Sequence, residues 1–267
     1  IRNVKKSFFV ISSFSFATSF TKSERETHMS RLIEILHKKL NKTIDKNGFS
    51  KLCNFAQSKL FSKSAVLSVN FEYFRVKITP VSKIKNILNY QCGIECISRN
   101  KNKQLALWAL VPVASLCPCS KAISDQNAHN QRGVVSIKID ISSNDLWLDD
   151  LISLAENCGS CELYSIVKKA DEKFLTEKAY DNPMFVEDLI RCIANKLDIL
   201  NVKNYSVSCK NFESIHAHNC YADIKKANVM YKGEVISFMN YLNDHGIPEK
   251  IWYEDQEIKL VGLIEIL

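Results

Sequence analysis

An α+β fold built on antiparallel strands is what this sequence predicts, and three observations carry the prediction. Between Leu67 and Val113 three strand-like runs follow one another with no helical pattern among them, which argues for antiparallel pairing. The clearest strand comes next, with Val135, Ile137, Ile139 and Ile141 alternating with Ser136, Lys138 and Asp140. Amphipathic helical segments accompany the strands without the strict alternation of βαβ units.

Taken in order, residues 1–28 begin without a methionine, carry Arg2, Lys5 and Lys6, and continue as the acid-free run SFFVISSFSFATSF. They read as a targeting segment, a disordered extension, or sequence upstream of a start at Met29; the apolar run is too short for a membrane span. From Ser30, a plausible N-cap, the positions Leu32, Ile33, Ile35, Leu36 and Leu40 have helical spacing, with Lys38 and Lys39 near the end. A second amphipathic segment extends to about Phe61. The period then changes to two, with Leu67, Val69, Phe71 and Tyr73 on one face; a slip at Phe74 to Val76 and Ile78 predicts a β-bulge.

Leu88, Tyr90, Cys92, Ile94 and Cys96 alternate with polar residues, and a more fully buried strand spans about Gln104 to Val113. Asp145 to Cys158 reads as a helix with Asp145, Asp149 and Asp150 near its start and Gly159 past its end. CELYSIVK reads as a strand. Asn182 and Pro183 suit the N-cap and first position of a helix over Met184 to Leu197. YSVSC and CYADI give strand-like ends around NFESIHAHN, and the segment after Tyr231 has a helical pattern and an apolar tail.

The chain of 267 residues, 46% hydrophobic and 24% charged, is long enough for one large domain or two modest ones. Its net charge of +7 comes largely from residues 1–46, where ten Lys/Arg meet four Asp/Glu; the remainder is close to neutral, so no nucleic-acid face and no membrane partner is expected. Ten cysteines are spread along the chain rather than crowded, which favours a reducing compartment. Cys158 and Cys161 are the only CxxC pair.

The segment Ser115 to Gly133, SLCPCSKAISDQNAHNQRG, is polar, punctuated by Pro and Gly, and lies between two apolar runs. Cys117, Cys119 and His129 in it, with Glu213, His216 and His218 further on, are donors suited to Zn, Fe or Mn. Competing readings are a buried or redox CxC pair and a surface ExxH pair. Glu187 lies about a right angle from the apolar stripe Val186, Leu189, Ile190, Ile193 and Leu197, at the edge of a core, while Asp188 points nearly opposite and fits the helix dipole. No GxxxxGK[ST] or GxGxxG occurs, so a triphosphate would need side chains such as Ser120, Lys121 and Arg132.

VPVASLCPCSKAISDQNAHNQRG closely resembles the signature of the type IB GTP cyclohydrolases. SCELYSIVKKADEKFLTEKAYDNPMFVEDLIR and NFESIHAHNCYA resemble that family's second and third blocks, in order and at similar separations, covering roughly Phe71 to Asp223. The resemblance implies a metal site at Cys117, His129, Glu172, Glu213 and His216, with zinc or manganese, or iron, as the divalent ion. It implies that Glu187 of FVED anchors the purine edge and that Cys119 supports the loop. Cys117, His129, His216 and His218 are then the catalytic residues, His218 as a proton-transfer aid. The implied reaction converts GTP and water to 7,8-dihydroneopterin triphosphate and formate, for folate or a modified tRNA base.

The implied architecture is a pair of tunnelling-fold (T-fold) modules over residues 29–230, between the extension 1–28 and an accessory segment 231–267. A homotetramer with active sites at subunit interfaces, in the cytoplasm or an organelle if 1–28 is a transit peptide, is also implied. Two rivals compete. A zinc-dependent base or nucleoside deaminase expects HxE and PCxxC, which the spacing of CPCSK fails. A non-catalytic, metal-stabilised binding module would favour Cys and His without the extra carboxylates.

Overall fold

The computed structural model describes residues 10–18, 30, 33–35, 37, 46–59, 64–99, 102–226, 252–254 and 257–259. The architecture is α+β, as expected. Its strands are β1 (Ser12–Thr18), β2 (Ser64–Ile78), β3 (Lys85–Arg99), β4 (Asn102–Leu116), β5 (Asn130–Asp140), the two-residue β6 (Cys161–Glu162), β7 (Tyr205–Phe212) and β8 (Cys220–Lys226). These form one sheet in the order β1-β2-β3-β4-β5-β7-β8, with β6 paired to β4. The β4–β6, β5–β7 and β7–β8 pairs are antiparallel. A separate hairpin joins β9 (Trp252–Glu254) to β10 (Glu257–Lys259). The helices are α1 (Lys46–Lys59), α2 (Pro118–Ile123), α3 (Leu148–Glu156), α4 (Lys169–Asp181) and α5 (Val186–Ile199). None among the described residues is long and apolar enough to cross a membrane.

Two compact units interleave along the chain: one holds residues 1–70, 94–106 and 228–267, the other 71–93 and 107–227. Residues 12–18 form a strand, so this part of the expected extension is built into the sheet. Of the helix expected from Ser30, residues 33–35 are helical and Ile35 is buried; Leu32, Leu36 and Leu40 lie outside the described residues. In the first unit, α1 buries Phe49, Leu52, Cys53 and Ala56, and Ser98 of β3 donates to Gln57.

The second unit has a core of its own. On β5, Val135, Ile137 and Ile139 are buried, and Ile141 after it, as the alternation requires. Gly93 of β3 leaves room for the Trp108 indole on β4, whose Nε1 would stand 2.5 Å from an added Cβ. The predicted bulge at Phe74 is not what the burial shows: Val76 and Ile78 are exposed, and Lys77 is buried. Lys77 Nζ lies 2.7 Å from Glu156 Oε1 of α3 and 2.7 Å from the Leu163 carbonyl. Tyr90 donates to the same Glu156 oxygen at 2.7 Å, and Arg75 donates to Ser153 of α3 at 2.7 Å. The inward face of β2 therefore keeps its phase but changes from apolar to cationic, because a buried carboxylate meets it.

Other local rules act differently from the sequence expectation. CELYSIVK gives only the short β6. The residue before α5 is Phe185, with no side-chain cap; Asn182 ends α4 instead and donates to the Gly159 carbonyl at 2.9 Å. Among the described residues no glycine has positive φ. Gly159 is needed for close approach, since a Cβ there would lie 2.9 Å from Val113 Cβ. Helix α4 is a further difference, because no helical stripe announces it: only Asp171 and Ala179 are buried. Helix α5 buries Val186, Leu189, Ile190, Ile193, Ala194 and Leu197, each large side chain contributing about 1.5–3 kcal/mol of gross burial free energy.

Candidate functional site

The loops at one end of β4, β5, β7 and β8 gather most of the residues singled out in the sequence, all within the second unit. Cys117 follows β4 directly and caps α2: its sulfur accepts the Ser120 N–H at 3.4 Å. Pro118, lacking an N–H and with φ fixed, suits the first turn of that helix. The chain returns through His129, whose carbonyl accepts the Cys117 N–H at 3.1 Å and whose own N–H donates to Ser120 Oγ at 3.3 Å. Three hydrogen bonds thus hold Cys117 and His129 side by side across an eleven-residue loop that would otherwise be entropically free.

The His129 ring is also held. Its Nδ1 lies 3.0 Å from Gln131 Oε1 and 3.3 Å from Ser214 Oγ. Donation of Nδ1–H to the Gln131 amide oxygen leaves the Nε2 lone pair unengaged by these partners, the tautomer in which a histidine ligates a cation. Through Ser214 the loop between β7 and β8 reaches the Cys117–His129 pair.

A buried polar chain, not read from the sequence, fixes the neighbouring elements. Asn211 at the end of β7 donates to Ser115 Oγ of β4 at 3.1 Å, and Ser115 donates to the Met184 carbonyl ahead of α5 at 3.1 Å. Met184 N–H in turn donates to the Leu116 carbonyl at 3.0 Å. Asn211 and Ser115 are both buried. Gly133 stands opposite Asn211 in the β5–β7 register, and a Cβ there would meet Asn211 Oδ1 at 2.4 Å. The signal was in SLCPC and RGV, but it needs the strand register to be read.

Across β7–β8, Asn211 pairs with Cys220. Burial, then the nearby Glu187 and Glu213 carboxylates, push the Cys220 thiol up; Glu187 in the first turn of α5 and Glu213 after β7 thus lie in the neighbourhood of this strand end. The segment carrying Glu213 and His216 is a bend rather than a helical turn. Glu213 is half-buried, while His216 and His218 are exposed and stack with ring centroids 5.2 Å apart.

Glu172 is exposed on α4, on the helix side it shares with Leu175 and Ala179. Those two pack with Leu116 and Ala128, the residues before Cys117 and His129. Lys121 is engaged elsewhere: its ammonium donates to the Tyr180 carbonyl and lies 4.2 Å from the Tyr180 ring centroid. Ser120 builds the loop, and Arg132 is exposed at the start of β5. Cys119 is exposed, so Ser120 rather than Cys119 supports the loop from within. A cavity of about 420 Å³ lies along the later part of α4, lined by Phe174, Glu177, Lys178, Asp181 and Asn182, none of them among these candidates.

Cys117 and His129 fit a borderline divalent ion in donor type and in the tautomer their contacts favour. Among the described residues, however, no three His, Cys, Asp or Glu side chains already stand grouped as a metal site. Glu172, Glu213 and His216 are brought to the same end of the sheet but not into one cluster with that pair.

Comparison with known proteins gives a consistent result. A family model described as "Type I GTP cyclohydrolase folE2" matches residues 1–222. GTP cyclohydrolase FolE2 of Nitrosospira multiformis is 45% identical over 199 residues, covering 74% of this chain and 75% of the relative. The FolE2 protein of Vesicomyosocius okutanii is 42% identical over 217 residues, covering 80% and 82%, and that of Akkermansia muciniphila 39% identical over 219 residues, covering 81% and 83%. Among solved structures, uricase from Arthrobacter globiformis superposes with a TM-score of 0.48 at 8% identity, over 84% of this chain and 87% of that one.

Proposed function

The chain belongs to the folE2 family of type I GTP cyclohydrolases and is a GTP cyclohydrolase; we propose that it works with a divalent ion held by Cys117 and His129 and completed by Glu213, His216 and Glu172. The observation that carries this reading is the Ser214–His129 contact, which brings the bend with Glu213 and His216 onto the loop with Cys117. When bound, such an ion supplies Lewis-acid activation of water near neutral pH.

The chain's own residues have distinct tasks in this reading. Glu187 accepts the ring N–H and exocyclic N–H of guanine as a bidentate pair, which orients C8 toward the Cys117–His129 loop. Water adds at C8 and the imidazole ring opens to a formamide; a second water hydrolyses that amide, so that C8 leaves as formate. The rearranged ribose carbonyl then condenses with the freed nitrogen, expelling one water and closing a new ring to give 7,8-dihydroneopterin triphosphate. His218, exposed beside His216, passes protons between the site and solvent during these steps. Arg132, exposed at the start of β5, is the cation offered to the triphosphate, since Ser120 builds the loop and the Lys121 ammonium is engaged by Tyr180 on α4.

Family membership also supports tandem tunnelling-fold modules and a homotetramer with interfacial active sites. The apolar residues Ile123, Phe212 and Ile215, exposed around this end of the sheet, agree with burial in such an assembly. A cytoplasmic location agrees with ten free cysteines.

The metal reading is tested by stripping the full chain with a chelator and restoring Zn or Mn singly. Turnover lost on stripping and regained with one ion is expected, with metal stoichiometry falling in Cys117→Ala and His129→Ala while circular dichroism is unchanged. Full turnover in the stripped protein would overturn it.

A further inference from the structure

The CxxC spacing pairs Cys158 with Cys161, but the fold pairs Cys158 with a different partner. Cys192 Sγ, near the middle of α5, lies 2.7 Å from Cys158 Sγ in the turn that leaves α3. Cys161 turns instead toward its neighbour, with Sγ 3.7 Å from Glu162 Oε2. We propose that Cys158 and Cys192 form a site of reversible oxidation, closing a disulfide that ties the end of α3 to α5.

The geometry asks for little movement. A disulfide needs its sulfurs about 2.05 Å apart, less than an ångström closer than they stand. Cys158 is held by the turn, where its N–H donates to the Ala155 carbonyl at 3.1 Å, and Cys192 by the helix. Access is unequal: Cys158 is buried, whereas Cys192 is half-buried and can meet a small oxidant. Lys196, one turn along α5, places its ammonium 3.5 Å from the Asn157 carbonyl beside the pair, where a cation favours thiolate over thiol. Burial pushes the Cys158 thiol up to about 12, so Cys192 is the sulfur that reacts first.

With hydrogen peroxide as oxidant, Cys192 sulfur attacks one peroxide oxygen; an S–O bond forms, the O–O bond breaks, and water leaves. Cys158 sulfur then attacks the Cys192 sulfenic acid, an S–S bond forms, the S–O bond breaks, and a second water carries off the thiol protons. Two thiols are oxidised by two electrons and one peroxide is reduced to two waters. An external dithiol reverses the step.

The experiment treats the full-length protein with stoichiometric hydrogen peroxide, blocks free thiols, and maps peptides without reduction. The expected result is one cross-linked pair containing Cys158 and Cys192, lighter by two hydrogens and split by dithiothreitol. It should disappear in Cys192→Ser and in Cys192→Ala, two variants that guard against a folding failure in either. A Cys158–Cys161 cross-link, or both Cys158 and Cys192 recovered as free thiols while other cysteines are oxidised, would overturn the proposal.

Discussion

Ser214 Oγ lies 3.3 Å from His129 Nδ1, and this contact joins two loops that are 85 residues apart in the chain. On one side are Cys117 and His129, locked by their own hydrogen bonds; on the other are the half-buried Glu213 and the exposed His216 and His218 on the bend that follows it. Removing the hydroxyl should loosen the second loop without disturbing the first. Ser214→Ala is expected to lower kcat/KM by up to about tenfold, the value of a hydrogen bond worth roughly 0.5–1.5 kcal/mol, with thermal stability unchanged. Steady-state kinetics beside a melting curve check it, and an unaltered kcat/KM would separate the two loops.

Glu187 tests recognition apart from chemistry. A charge-assisted bidentate bond to guanine is worth about 1.5–3 kcal/mol, so Glu187→Gln should raise the GTP dissociation constant by roughly ten- to a hundredfold. Equilibrium binding of GTP to the intact and substituted proteins measures this. Equal affinities would remove Glu187 from the purine edge.

Gly133 tests the support beneath the site. An added methyl would meet Asn211 Oδ1 at 2.4 Å, and Asn211 is buried and bound to Ser115, so it has little room to yield. Gly133→Ala should cost about 1–3 kcal/mol in urea unfolding. The larger Gly133→Val should cost more, and a variant as stable as the parent would mean that Asn211 can move freely.

Asp171 gives a pH dependence. Burial pushes its carboxyl up, but donation from Ser82 Oγ and the Ser82, Lys168 and Val81 N–H groups outweighs this and holds it well below the usual carboxylate range. A group depressed on folding contributes stability that is complete above its unfolded value, near ~3.9, and is lost as pH falls through the lower folded value. The urea midpoint of Asp171→Asn should therefore lie below that of the parent at neutral pH, with the gap narrowing in acid below about pH 4. A gap independent of pH would show that the carboxylate's charge is not what holds the 81–82 turn to α4.

Much of this fold was legible because its strands alternate and α5 carries a full apolar stripe. What was hidden depends on partners remote in the chain. Lys77 looks like a surface residue until Glu156, 79 residues away, comes beneath it, so the apolar Val76 and Ile78 were the natural but mistaken choice for the inward face. Helix α4 escaped because Asp171 and Ala179 alone are buried on it, too few to set a helical period. At the site, the string from Cys117 to His129 stood out by its residue types, while Asn211 reads as an ordinary strand end until Gly133 is seen opposite it.

The most direct test of the account is the fate of the carbon at position 8 of the purine. GTP labelled with carbon-13 at C8, incubated with metal-loaded full-length protein and followed by NMR, should yield one labelled formate for each 7,8-dihydroneopterin triphosphate, detected as a fluorescent pterin after oxidation. Cys117→Ala, folded but metal-poor, should release none. Label that stays in the purine with every ion supplied, or formate released equally by the Cys117 variant, would contradict the assignment of catalysis to this end of the sheet.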